Sequence, residues 1–266
     1  VQTCALPISF PFRRPVLTLT LSFVVIGGIA GLIAGGYVGR AVASVENAVY
    51  GAFAEAGFAV RDIALSGNER TGAEEARAAI GLKTGQPIFG VDPAAMRARL
   101  MNLPWVADAE VHRTLPDRIS VRLMEKRPFA LWRTDTGFDV VERSGAVITK
   151  ASPEGFKHLP VLVGTGAPKA AAPLIDALAP DKAINARLAA IARIGERRWD
   201  LILSGGVTVR LPEEGWEAQL GELERLIVER GILERDIEMI DLRYPDNYVF
   251  RLHNGDSRQI TRERRA

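Results

Sequence analysis

Apolar positions crowd the amino-terminal end of the chain and thereafter thin into short alternations. From Pro15 to Gly39, 25 consecutive residues carry no charge. As a helix they would span roughly 37 Å at ~1.5 Å per residue, more than a ~30 Å hydrocarbon core. The pattern predicts a transmembrane helix over 15–39. Inside it, GGIAGLIAGGYVG sets Gly27, Gly31, Gly35 and Gly39 four residues apart, on one helix stripe where small residues let a second membrane helix approach. That stripe reads as a helix-pairing face or as the ordinary small-residue content of membrane helices. Val, Ile, Leu and Ala between the glycines, without turn-forming polar residues, exclude a soluble loop. Ala41-Val42-Ala43 resembles the cleavage site of an export signal, but such signals have apolar cores of ~7–15 residues. The longer run favours an uncleaved anchor.

Beyond the span the periodicity changes. Val42, Val45, Val49 and Phe53 recur at helical spacing, giving a helical linker over 40–57. In AVRDIALSGN, Ile63 and Leu65 share one face of a strand that closes at Gly67-Asn68. TGAEEARAAIGL has Thr71 and Glu74 as a capping box and Gly81 as a stop, while VDPAAMRARLMNL opens with Asp92 as cap and Pro93 behind it. Alternation then returns at Trp105, Ala107, Ala109 and Val111, and at Ile119, Val121 and Leu123, with Thr114-Leu115-Pro116-Asp117 as the turn. The order strand, helix, helix, strand, strand defines an α+β unit over 58–127.

A second domain, mostly antiparallel β with helices packed on it, is expected over 128–253. Its strands are FALWR, FDVVE, AVIT and PVLVG, followed by an Ala- and Pro-rich stretch over 164–182. AINARLAAIARIG reads as a helix, WDLILSG and GVTVRLP as a hairpin around Gly205-Gly206, and WEAQLGELERLIVERG as an amphipathic helix. DIEMIDLRY and NYVFRL close the domain, with Tyr248, Phe250 and Leu252 on one face and Val249 and Arg251 on the other. The basic end, 254–266, reads as a flexible tail.

Charge gives the orientation. Arg13 and Arg14 precede the apolar span, whereas Arg40 and then Glu46 follow it, so the amino terminus is expected inside and the bulk outside the cytoplasm. Residues 1–14 form a cytoplasmic stub, and VQTCALPIS within it reads as adapter-like sequence; Cys4, the single cysteine, falls there. No disulfide framework or thiol chemistry is therefore expected. Residues 41–266 carry 31 basic against 32 acidic residues, a balance that argues against nucleic-acid binding. His112, His158 and His253 are far apart and form no four-spaced zinc pair; Ser204 lacks a nucleophile elbow; Gly164-Thr165-Gly166 lacks the end of a phosphate loop. No enzyme, cofactor, metal or small-molecule substrate is expected.

An ordered set of residues carries a family likeness. It comprises Val60, Ile63, Leu65, Gly67 and Asn68; then Leu103-Pro104-Trp105-Val106, Val111, Arg113, Pro116, Ile119, Val121, Glu125, Pro128 and Ala130; then Gly145, Leu159-Pro160, Gly164 and Asp241-Leu242-Arg243-Tyr244. In this order, over residues 15–253, the chain resembles the FtsQ/DivIB bacterial cell-division proteins. The resemblance implies that 58–127 is a POTRA domain. It also implies a non-catalytic scaffold of the inner membrane, single-pass with its bulk periplasmic and enriched at the septum, which binds FtsB- and FtsL-like partners and other divisome membrane proteins. Arg197, Trp199, Arg243 and Tyr244 fall in the implied docking region. Tyr248 and Phe250 join them from the strand pattern itself, since an exposed strand edge invites β-augmentation and Tyr and Arg commonly anchor interfaces. The family's longer cytoplasmic tail has no counterpart here. A POTRA-bearing transport or outer-membrane assembly factor is the alternative; a large β-barrel would mark it. An anchored hydrolase would need a pocket with convergent titratable groups.

Overall fold

The structure, a computed structural model, describes Val45, residues 48–244 and residues 247–261. The expected stub, the membrane helix over 15–39 and its Gly27, Gly31, Gly35 and Gly39 stripe lie outside the described residues. Among the described residues no helix is long and apolar enough to cross a membrane. Of the expected linker, residues 48–55 are helical.

Two compact units partition the chain. One takes the described residues up to Ser66 with Arg77–Ala98 and Glu110–Arg122; the other takes Gly67–Ala76, Arg99–Ala109 and the described residues from Leu123 on. The partition interleaves in sequence.

The amino-terminal block contains β1 (Asp62–Ser66), α1 (Ala73–Ile80), α2 (Pro93–Leu100), β2 (Val106–Thr114) and β3 (Arg118–Glu125). The three strands form a sheet ordered β1-β3-β2. β1 runs parallel to β3, with Ile63 opposite Ile119 and Leu65 opposite Val121, so the chain must cross over between them, and α1 and α2 lie in that crossover. Ile119, Val121 and Leu123 are buried and their neighbours are not, as the alternation predicts. Asp92 caps α2, its Oδ1 accepting the Ala94 N–H at 2.9 Å. The capping box at Thr71 does not close. Gly72 immediately precedes α1, and Thr71 Oγ1 is buried without a hydrogen-bond partner. A carboxylate from β3 replaces the box: Glu125 accepts the backbone N–H groups of Arg70 at 2.9 Å and Thr71 at 2.7 Å. Gly67 has φ 78°, and a Cβ there would lie 2.1 Å from the Leu123 carbonyl oxygen. Only glycine fits both demands.

The larger unit is built on ten strands: β4 (Ala130–Thr134), β5 (Gly137–Val141), β6 (Val147–Lys150), β7 (Val161–Val163), β8 (Leu188–Ile194), β9 (Arg198–Leu203), β10 (Thr208–Arg210), β11 (Ile237–Asp241), β12 (Asn247–Leu252) and β13 (Ser257–Thr261). Their order across the sheet is β13-β12-β11-β10-β9-β8-β7-β4-β5-β6. Helices α3 (Ala167–Ala170), α4 (Ala172–Leu178), α5 (Lys182–Asn185) and α6 (Trp216–Val228) complete it. One row of register partners, Leu162, Ile191, Leu201, Val209, Ile240 and Phe250, runs across six strands. Every one of them is buried, in one core with Leu174 and Leu178 of α4 and Leu220, Leu223, Leu226 and Ile227 of α6. Helices thus cover this face because its side chains are uniformly apolar.

Two expectations are corrected. The helix read over AINARLAAIARIG stops after Asn185, and Leu188–Ile194 is β8, pairing with β7 on one side and β9 on the other. Ala, Leu and Arg favour helix locally, but two-sided pairing and the burial of Ile191 and Ala192 decide for strand. The flexible tail is likewise part strand: β13 pairs antiparallel with β12 along its whole length, Asn247 opposite Thr261 through Arg251 opposite Ser257. Asn254 and Gly255 make the turn, with the Gly255 N–H donating to the Leu252 carbonyl at 3.0 Å.

Candidate partner-binding edge of the large sheet

The expected docking residues occupy two faces and one end of this sheet. Trp199 on β9 is buried on the core side, and the guanidinium of its register partner Arg193 lies 5.1 Å from its ring centroid. Arg197, in the turn before β9, is exposed, with Nε 3.8 Å from Glu213 Oε2.

On the opposite face a polar row crosses three strands. Asp200 of β9 is the register partner of Arg210 on β10, and Arg210 is the partner of Asp241 on β11. Alternation puts all three across the sheet from Leu201, Val209 and Ile240. Asp241 is buried, and Arg243 closes on it: Nε donates at 2.8 Å, Nη2 at 2.6 Å and the backbone N–H at 3.1 Å. Burial by itself raises this carboxyl's pKa, but the Arg243 hydrogen bonds and the charges of Arg243 and Arg210 outweigh it and hold it below the ordinary carboxylate range. Asp200 goes the other way. Burial pushes it up, and the charges of Arg198, Arg210 and Arg243 offset this only in part. Its nearest ion-pair contact, Arg198 Nε at 3.9 Å, lies beyond hydrogen-bond distance. Tyr244 stands next to this row, 51% exposed, with the Arg243 guanidinium 6.0 Å from its ring centroid.

β12 carries the remaining two. Tyr248 and Phe250 do share a face, as the alternation predicts, and that face is the core: they are 3% and 4% exposed, their ring centroids 6.3 Å apart. Their side chains are therefore not free to anchor a partner, which corrects the expectation drawn from their residue types. Val249 and Arg251 point the other way, Arg251 pairing with Glu238 at 3.1 and 3.2 Å. The structure thus gathers Arg243 and Tyr244 at one end of the polar row, leaves Arg197 exposed at a turn, and places Trp199, Tyr248 and Phe250 in the core. Sequence reading missed Asp200 and Arg210. Their signal was available in the hairpin, since both stand equally far in sequence from Gly205. Among the described residues no group of His, Cys, Asp or Glu could hold a metal ion.

What this arrangement offers chemically is backbone. β13 ends the sheet, the described side chains of Ser257–Ile260 are all exposed, and its outer N–H and C=O groups have no strand neighbour among the described residues.

Comparison with known proteins assigns the chain to a family. Residues 58–126 match the description "POTRA domain, FtsQ-type" and residues 130–243 match "Cell division protein FtsQ/DivIB, C-terminal". Cell division protein FtsQ of Agrobacterium fabrum is 35% identical over 235 residues, covering 88% of this chain and 72% of that protein. The chain belongs to the FtsQ/DivIB family of bacterial cell-division proteins. FtsQ of Caulobacter vibrioides strain NA1000 is 35% identical over 239 residues, 89% of this chain and 79% of its own, and FtsQ of Rhizobium radiobacter 37% over 176 residues, 66% and 84%. The solved major extracytoplasmic domain of DivIB from Geobacillus stearothermophilus is 21% identical with a TM-score of 0.28, over 40% of this chain and 97% of that one. The FtsQ-type POTRA match contains the three-stranded sheet with α1 and α2. The carboxy-terminal match ends at Arg243, so β12 and β13 lie past it.

Proposed function

We propose that this chain is a non-catalytic recruiting platform of the divisome, held in the bacterial inner membrane by residues 15–39 with its bulk in the periplasm. It captures FtsB- and FtsL-type partners at the carboxy-terminal end of the large sheet and so links earlier and later division proteins. The observation that supports this most is the open end of the sheet at β12 and β13. Such an edge captures an extended segment through main-chain hydrogen bonds, while adjoining side chains select it. Tyr244, exposed just before β12, is the expected selecting side chain at this edge, and Arg197, exposed at the turn before β9 and four strands in from β13, is the expected second contact further along the sheet. Family membership supports the division role, and the uncharged run over 15–39 supports the anchorage.

Co-purification from detergent-solubilised membranes tests the reading. The double variant Arg197→Glu, Tyr244→Lys changes two exposed side chains, so the fold should survive. FtsB- and FtsL-type proteins should be recovered with the parent chain and reduced about tenfold with the variant, a difference of about 1.4 kcal/mol. Equal recovery would remove these two residues, and with them the site, from the proposal.

A further inference from the structure

The edge that a partner strand would pair with most favourably is already taken by the chain's own end. β12 is the last strand with core residues: Tyr248 and Phe250 are both buried. β13, outside it, has none; the described side chains of Ser257–Ile260 are all exposed. Opposite Tyr248 stands Ile260, 42% exposed, and opposite Phe250 stands Arg258, a charge where an apolar side chain would extend the core. Opposite Arg251 stands Ser257, whose uncharged hydroxyl offers no ion pair. β13 is thus held by backbone hydrogen bonds and a tight turn with little side-chain burial behind them, which is the profile of an element that opens locally.

We propose that β13 is an exchangeable edge strand: it covers β12 in the free protein and is displaced by a partner segment that pairs with β12 in its place. This rests on the partner-binding reading above and specifies its occupant. The occupant is an extended antiparallel segment of about five residues with apolar side chains at two alternate positions, those facing Tyr248 and Phe250. Such a segment buries apolar area where β13 leaves Arg258 and much of Ile260 in water, so displacement is favourable even though the same backbone bonds are made on both sides of the exchange.

Three forms of the full chain decide it, all with Cys4→Ser and in detergent: the parent; a chain ending at Gly255; and Val249→Cys, Gln259→Cys. These two positions are register partners, at the close Cα approach of opposed strand residues that a disulfide can bridge. The probe is the purified complex of the FtsB- and FtsL-type proteins of the same organism. Removing β13 should tighten binding about tenfold, the oxidised lock should weaken it about tenfold, and reduction should restore the parent value. Binding that weakens or stays unchanged on truncation, or that ignores the lock, overturns the exchange. If no form binds, the partner reading fails, and hydrogen exchange of the parent chain then decides for β13 itself. Amides of β13 exchanging about 100-fold faster than those of Leu201 and Ile240 uphold a releasable strand; equal protection overturns it.

Discussion

Asp200 and Asp241 flank the same arginine on the same face of the same sheet, yet protonation affects them in opposite senses. Asp241 has a depressed pKa because Arg243 gives it charge-assisted hydrogen bonds; its contribution is present above the unfolded aspartate value and lost as pH falls through the folded one. Asp241→Asn should therefore lower stability in urea by about 2 kcal/mol at pH 7, with the difference shrinking below pH ~4. Asp200 has a raised pKa, so its ionised form opposes folding above the folded value, and that opposition fades as pH falls. Asp200→Asn should raise the urea midpoint at pH 7 and lose this advantage in acid. Equal and like-signed effects of the two variants would remove the assigned difference. Gly67 belongs to the same scale: Gly67→Ala meets both a positive φ and the Leu123 carbonyl, and should cost at least about 2 kcal/mol by chemical denaturation. The sequence made Gly67-Asn68 legible as a turn. The Asp200–Arg210 pair was readable from the hairpin, but Asp241 joins the row only once a third strand, distant in sequence, has found its register.

At the level of elements, legibility followed side-chain pattern. β3 and β12 announced themselves by strict alternation, and α6 by an apolar stripe. Leu223 of α6 is fully buried in the main core, and Leu223→Ala should cost about 2–5 kcal/mol, read from the denaturant midpoint. β8 was hidden because LAAIARI is composed of good helix formers; its strand character comes from β7 and β9. β13 was hidden for a different reason. Ser-Arg-Gln-Ile-Thr offers a single apolar residue, so nothing in its side chains distinguishes a paired strand from a solvated tail, and its pairing is a backbone matter. For β12 the pattern told which residues share a face and not which face meets the helices. That direction separates a contact residue from a core residue.

For the molecule as a whole, the aromatic side chains of β12 belong to the core that holds the large unit together. Tyr248→Lys puts a charge into the main core and should lower the melting temperature of the large unit by several degrees, with loss of partner capture following from unfolding. A variant that melts like the parent while losing capture would contradict the core placement. The FtsQ-type block and the carboxy-terminal block each match their family description, and β12 and β13 lie beyond the matched span.

The opposite margin of the large sheet, β6, has a register irregularity beside Val140 and Val141 and ends in the exposed Lys150. A kinked margin tipped with a cation is a poor seat for a neighbour's backbone. Copies crowded together therefore find at β6 no flat surface on which stacking into fibres could begin.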